Sequence, residues 1–234
     1  MPGAWRAAYN ECKRLHPAWT SVLWTDVTMR ELIANNYSWF LADYDSYRYN
    51  IQRVDSARYF ILHHFGGVYM DLDISCRHQL APLRHAASKT GAMFPLTSPV
   101  GWSNDVMFAS PRHPFFRRLI GALQGANRWY GSAYPTVFFS TGPAFVTLQY
   151  YFSSPEDRLK VLTLSPSLYS SNKTARFFNH TRGSSWHEGD AAVIMWFYRN
   201  VRILCSLLCF AIILTVGVNS FCGVWNNRKS SDCG

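Results

Sequence analysis

An α/β domain with a mostly parallel sheet is the expectation for residues 1–198, and three observations carry it. The stretch from Ile51 to Arg77 reads as helix, stop, strand. Along the rest of the chain, short apolar runs alternate with stretches of helical period, the pattern of strands joined by helices. The 234 residues are 48% apolar and carry 9 Trp, 13 Tyr and 16 Phe, enough to fill one core and to exclude a disordered chain. No repeat or low-complexity linker interrupts residues 1–198.

In chain order, Met1 to Pro17 is predicted as a short amphipathic helix ended by Pro17, with Arg6, Lys13 and Arg14 interrupting any apolar leader. Ser21–Trp24 is predicted as a short buried strand, with Asp26 as the cap of a following helix. Val27 to Tyr47 reads as helical and aromatic. In the stretch after it, Ile51, Val54, Ile61 and Phe65 recur at near-helical spacing, and Gly66-Gly67 stops that helix because glycine accepts the left-handed closing turn.

From Val68 the period becomes two: Val68, Met70, Leu72 and Ile74 face one way, Tyr69, Asp71 and Asp73 the other. That alternation predicts two carboxylates on one strand face, roughly 6–7 Å apart at Cα. Two like charges so close raise each other's pKa unless a cation lies between them. Carboxylate oxygens suit Mg²⁺ or Mn²⁺, whose shells are usually completed by phosphate and water. Asp55 and Arg58, three apart, share a helix face.

Pro82 marks a loop; Gly91–Phe94, Val106–Ala109, Val137–Phe139 and Lys160–Ser165 are predicted strands, and a helix runs from about Phe115 to Leu123. Asn104 and Asp105 precede the second of these strands, and His113 before Pro114 reads as a local structural histidine. Thr141 is placed to cap a helix that Pro143 begins.

Ile203–Trp225 is a run of 23 residues without a charge, long enough to span a bilayer as residues 199–225 with a basic flank, leaving 226–234 as a tail. Arginines flank both sides, so charge does not orient it. The formal net charge of +9 suits anionic headgroups or a nucleotide diphosphate. Scattered basic residues, with no zinc-finger, RNP-type or basic-helix pattern, speak against nucleic acid as a partner. Of six cysteines only Cys12 and Cys76 fall in the folded part, paired if the domain meets an oxidising lumen and free thiols otherwise. Asn36, Asn172 and Asn179 head possible glycosylation triplets.

Taken together, D-x-x-R-x(7)-G-G-x-Y-x-D-x-D from Asp55 to Asp73 resembles the donor-site signature of glycosyltransferase family 32. The stretches W-T-D at Trp24, W-F-L-A-D-Y-D at Trp39, N-D-x-M-x-A-x-P-x-H-P at Asn104, S-T-G-P at Ser140 and S-S-W-H-x-x-D-A at Ser184 resemble the fungal branch that acts on inositol-phosphorylceramide. The resemblance covers most of residues 5–198.

It implies a GT-A fold, with these residues starting just after a first strand that carries an I-P-x-I-I-H-Q-like motif. It implies mannose transfer from GDP-mannose to inositol-phosphorylceramide with retention, dependent on Mn²⁺ or Mg²⁺. The implied setting is a Golgi membrane with the domain lumenal and a regulatory membrane subunit as partner. Asp73 and Asp71 are the implied metal residues, with His187 completing the shell. Asp55, Arg58, Tyr69 and Gly67 are implied to bind the donor, Asn104 and Asp105 to lie near the donor sugar or acceptor, and Ser184, Trp186 and Asp190 to close over the diphosphate. Two other functions stay open at this point: extension of protein-linked glycans by an α-mannosyltransferase, and a non-catalytic membrane subunit.

Overall fold

The structure is a computed structural model that describes residues 2–97, 101–169 and 175–180, together with Asp190, Trp196 and Asn200. Residues 1–186 form one compact unit and residues 187–234 a second. Of the second, Asn200 donates from Nδ2 to the Trp196 carbonyl at 2.7 Å, one helical turn apart. Ser184, Trp186, His187, Asn172 and the uncharged run 203–225 lie outside the described residues. Among the described residues no helix is long and apolar enough to cross a membrane.

The first unit opens with α1 (Gly3–Leu15) and, after an extended stretch, α2 (Asp26–Asn36). Ser21–Trp24, predicted as a buried strand, pairs with no strand among the described residues, and Val22 is 60% exposed. Thr25, not Asp26, caps α2. Its hydroxyl accepts the Thr28 N–H at 3.2 Å and Thr28 Oγ1 accepts the Thr25 N–H at 2.9 Å, a reciprocal cap that a threonine at both ends allows. A 3-10 turn (Ser38–Phe40) and α3 (Leu41–Ser46) follow, so the predicted 27–47 helix is broken at Tyr37.

Next, α4 (Asn50–Phe65) ends at Gly66, whose φ of 66° and ψ of −155° only glycine adopts without strain. There β1 (Gly67–Met70) begins. The strand stops four residues before the sequence pattern does. The Ile74 N–H closes a turn onto the Asp71 carbonyl at 3.1 Å, and β2 (Ile74–Cys76) then belongs to a separate two-stranded ribbon with β6 (Phe178–His180). Asp71 and Asp73 therefore do not share a strand face: Asp71 leaves β1 and Asp73 lies in the turn.

The main sheet has the order β1–β4–β3–β5, with β3 at Ala92–Pro95, β4 at Val106–Ala109 and β5 at Val161–Leu164. It is mixed, not mostly parallel: β4 runs antiparallel to both β1 and β3, and only β3 and β5 are parallel. The reason is the connection. Between β3 and β4 there is no helix among the described residues, and a short link returns the chain antiparallel. The parallel β3–β5 pair is reached through α6 (Pro114–Ala126), α7 (Ala133–Ser140), α8 (Pro143–Tyr151) and α9 (Pro155–Leu159).

Val137–Phe139, predicted as a strand, lies inside α7, where Tyr134, Val137 and Ser140 are buried at a spacing of three. Tertiary burial at helical spacing here overrides the β-propensity of a Val-Phe-Phe run. Pro82 sits in the first turn of α5 (Ala81–Ser88), where its missing N–H costs nothing, so the predicted loop is a helix. The described first unit closes with α10 (Pro166–Tyr169) and β6.

The sheet separates two cores. On one face Phe60, Ala92, Phe94, Met107 and Phe116 pack with α2, α4, α6 and α8. On the other Met93, Val106 and Phe108 pack with α5, the β2–β6 ribbon and Tyr169. Val68 and Met70 point to the second core and Tyr69 to the first, as the period of two requires. His113 is structural as expected, its Nδ1 accepting the Phe115 N–H at 3.2 Å. Cys12 and Cys76 are bonded as a disulfide with Cα atoms 4.9 Å apart, settling the cysteine alternative in favour of pairing. Closing a loop over a separation of 64 residues contributes about 4 kcal/mol in the chain-entropy account.

A Cβ at position 66 would stand 2.6 Å from Pro111 Cδ and 2.9 Å from the Ala109 oxygen. Gly66→Ala is expected to cost roughly 3 kcal/mol from strain and overlap together, read as a lower urea midpoint at unchanged m-value.

Candidate functional site

The helix α4 delivers Asp55, Arg58 and Tyr59 to the end of β1, where Tyr69 and Asp71 emerge. All three helix residues are buried, Asp55 to 4% and Arg58 to 1% exposure. Arg58 is the hub. Its Nη2 lies 3.0 Å from Asp55 Oδ1 and 3.2 Å from Asp71 Oδ1, and its Nη1 donates to the Asn104 carbonyl at 2.7 Å and to Asp71 Oδ2 at 3.3 Å. Its carbon lies 4.9 Å from the Tyr69 ring centroid, and Nε is buried without a hydrogen-bond partner. Tyr69 adds a second grip on Asp71, its hydroxyl donating to Oδ1 at 2.9 Å.

Asp55 is held as firmly from its far side. Asn104 Nδ2 donates to Oδ1 at 3.1 Å and the Thr141 hydroxyl to Oδ2 at 3.2 Å. Asn104 Nδ2 also reaches the Tyr59 hydroxyl at 2.9 Å, and that hydroxyl donates to the Thr141 carbonyl at 2.5 Å. Thr141, predicted as a helix cap, spends its side chain on Asp55 instead, and α8 starts from Gly142 without a side-chain cap.

A second cluster adjoins the first through the backbone: the Asp71 N–H donates to the Asp105 carbonyl at 2.8 Å. The Asp105 carboxylate accepts from Ser103 Oγ and from the Tyr169 hydroxyl, each at 2.5 Å. His180 Nε2 approaches its Oδ2 at 3.5 Å, near enough to act through charge when protonated but too long for a good hydrogen bond.

The carboxylates respond differently. Burial pushes Asp71 up to about 7 and Asp55 up to about 6, against the pull of Arg58. Burial also raises Asp73, helped by the negative charge of Asp105. In Asp105 burial acts upward too, but the polar contacts of His180, Ser103 and Tyr169 outweigh it and hold the group below the ordinary value. Among the described residues, Asp55, Asp71, Asp73 and Asp105 thus face one guanidinium, with one imidazole beside them. No three Asp, Glu, His or Cys side chains among those residues are grouped closely enough to hold an ion by themselves. The donor set still fits a hard divalent cation: Asp71 and Asp73 offer carboxylate oxygens from a single turn, and the cluster carries more negative charge than Arg58 balances. Phosphate and water would complete the shell.

The structure thus brings Asp55, Arg58, Tyr69, Asp71, Asn104 and Asp105 together. Asp55, Arg58 and Asn104 are buried behind Asp71 as its support. Gly67 is at the opposite end of β1, roughly 13 Å away by strand rise, where its φ of 91° lets the chain turn out of α4. Asp190 belongs to the second unit. Sequence reasoning missed Tyr59, Ser103, Tyr169 and His180. Tyr59 hides in an aromatic run, and His180 had only its place in a glycosylation triplet to mark it.

Residues 2–89 match the model of the glycosyltransferase sugar-binding region containing the DXD motif. The chain is 42% identical over 227 residues to inositol phosphoceramide mannosyltransferase 1 of Schizosaccharomyces pombe, covering 95% of this chain and 68% of that protein. It is 37% identical to inositol phosphoceramide mannosyltransferase 2 of the same yeast, covering 92% of this chain and 63% of the relative. To mannosyl phosphorylinositol ceramide synthase CSH1 of Saccharomyces cerevisiae it is 42% identical over 195 residues, covering 82% of this chain and 50% of the relative. The chain therefore spans between half and about two thirds of the lengths of these relatives.

The raised carboxylates set a direction for stability against pH. Folded values of about 6 and 7 for Asp55 and Asp71 lie above the unfolded carboxylate value near 4. Between these the folded state holds protons that the unfolded state has released, so this contribution is complete below about pH 4 and is lost as pH rises through 6 to 7. Without divalent cation, urea stability is expected to fall from pH 5 to pH 8, and Asp71→Asn is expected to flatten that fall.

Proposed function

Because the chain belongs to the family of DXD-containing glycosyltransferases that includes the yeast inositol phosphoceramide mannosyltransferases, we propose that it transfers mannose from GDP-mannose to inositol-phosphorylceramide, with retention at the anomeric carbon. The observation that carries the reading is the Asp71–Asp73 turn, set by α4 and β1 beside a cluster with excess negative charge. The mixed sheet and its helices serve as a GT-A-type scaffold, with the carboxylate turn at the edge of the donor half.

In this reading Asp73 and the outer face of Asp71 hold Mn²⁺ or Mg²⁺. When bound, the cation supplies Lewis-acid stabilisation for the departing diphosphate. Arg58 and Tyr69 fix the Asp71 carboxylate, so that its orientation is set before donor arrives. Asp55 and the Asn104 carbonyl hold Arg58 in turn, and Thr141 holds Asp55. His180 is the imidazole placed beside Asp105, next to the turn, and it joins His187 as a candidate for the ion or the phosphates. Ser184, Trp186 and Asp190 keep their proposed role of closing over the diphosphate. We place the domain on the lumenal side of a Golgi membrane, with 203–225 as its span and a regulatory membrane subunit as partner.

Asp73→Asn in the full chain is expected to lower mannose transfer at least about a thousandfold, with far-UV circular dichroism unchanged because Asp73 is only half-buried. Lipid mass spectrometry of cells that lack the endogenous activity reads the product. Wild-type turnover by the variant would sink the metal assignment, and transfer to a core oligosaccharide instead of the lipid would move the acceptor.

A further inference from the structure

The turn that carries Asp73 runs straight into a strand of three residues, too short to hold its own position. Ile74 and Cys76 pack in the second core, and four further contacts fix it. β6 pairs with it in the register Ile74 to His180, Ser75 to Asn179 and Cys76 to Phe178, which sets the imidazole of the second cluster opposite the residue after Asp73. The Arg77 N–H extends that pairing to the Phe177 carbonyl at 2.8 Å. From the other side comes α1, through the Cys12–Cys76 bond and through His16. His16 Nε2 accepts the Leu80 N–H at 2.8 Å, which leaves the ring proton on Nδ1, 2.7 Å from the Cys12 carbonyl. One buried imidazole thus ties the last turn of α1 to the chain just beyond β2.

The apolar packing of α1 is thin. Ala8 is its one fully buried residue, and Cys12 and Leu15 pack half-buried against the second core while most of the helix faces solvent. The covalent bond and the His16 bridge add to that limited burial in fixing the helix.

We propose that Cys12, Cys76 and His16 form a positioning clamp for the donor site: they lock α1 to β2, and the locked β2–β6 ribbon holds Asp73 at its entry and His180 at its end. The clamp touches neither donor nor ion. Its link to catalysis rests on Asp73 being an ion ligand, whereas its effect on the ribbon does not. A consequence is that the site is complete only where the disulfide persists, in an oxidising compartment.

The test uses the full chain without donor or metal and reads hydrogen exchange before and after dithiothreitol. One dithiothreitol delivers two electrons and two protons, giving the Cys12 and Cys76 thiols and its own cyclic disulfide. Peptides covering 71–77 and 175–180 are expected to exchange at least tenfold faster once reduced, while α4 and α6 keep their protection. Cys12→Ala without reductant is expected to reproduce the change, which separates it from effects on the other cysteines. Manganese-dependent GDP-mannose binding is expected to weaken about tenfold in both. Unchanged ribbon exchange, free thiols at both positions in the untreated protein, or loss of protection throughout the domain each overturn the clamp. Released ribbon exchange with undiminished GDP-mannose binding overturns its link to the donor site. If the oxidised protein binds no GDP-mannose, the proposed function fails, and the exchange result still decides the clamp.

Discussion

One buried guanidinium organises this molecule. Arg58 is 1% exposed and stands between the buried Asp55 and the half-buried Asp71, as the one guanidinium that bonds both. Removing one partner from such a buried pair usually costs about 3–5 kcal/mol, because the remaining charge is left without a counterion. That cost explains why so much of the surrounding fold serves it. The helix α4 carries Asp55 and Arg58 on one face, Gly66 turns the chain so that β1 returns beside the same helix, and Asn104 and Thr141 arrive from distant segments to complete the hydrogen bonds.

The same network gives the site its polarity. Buried residues behind Asp71 find partners for all their polar atoms but Arg58 Nε, whereas the turn beyond it adds Asp73, half-buried and near Asp105. Negative charge therefore accumulates at the edge of the cluster while the interior is neutralised. A cation that met this edge would find the Asp71 carboxylate already oriented by Arg58 and Tyr69. The ordering entropy of the ligands is met by folding and not at the moment of binding, which is what preorganisation means here.

The two sheets divide the labour. The four-stranded sheet lies between two cores and places β1 and β4 so that Asp71 and Asp105 meet through a backbone hydrogen bond. The small β2–β6 ribbon carries the outer part of the site; it packs in the second core through Ile74, Cys76 and Phe178 and is tied covalently to α1. The inner part of the site thus rests on the first core, and the outer part rests on the second core with a covalent bond added.

The amino-acid sequence by itself determined α4, its glycine stop, the turn of strand that follows and the company of Asp55, Arg58, Tyr69, Asp71 and Asp73. These are local matters, governed by helical period, by the backbone freedom of Gly66 and by spacing within one stretch. It misplaced what depends on neighbours. The Val137–Phe139 run is helical because its buried positions fall at a spacing of three. Ser21–Trp24 is extended but unpaired among the described residues. The sheet is mixed because the short β3–β4 link, with no helix among its described residues, returns the chain antiparallel.

Only the tertiary structure decided that Asp73 lies in a turn and off the strand face. It also decided that Thr141 and Tyr59 serve Asp55, that Tyr169 and His180 stand at Asp105, and that Cys12 finds Cys76. Each of these joins residues far apart in the chain, or ends a strand where its partner ends. Hydrogen bonds and charges act through space, and no periodicity along one segment records what another segment brings to it.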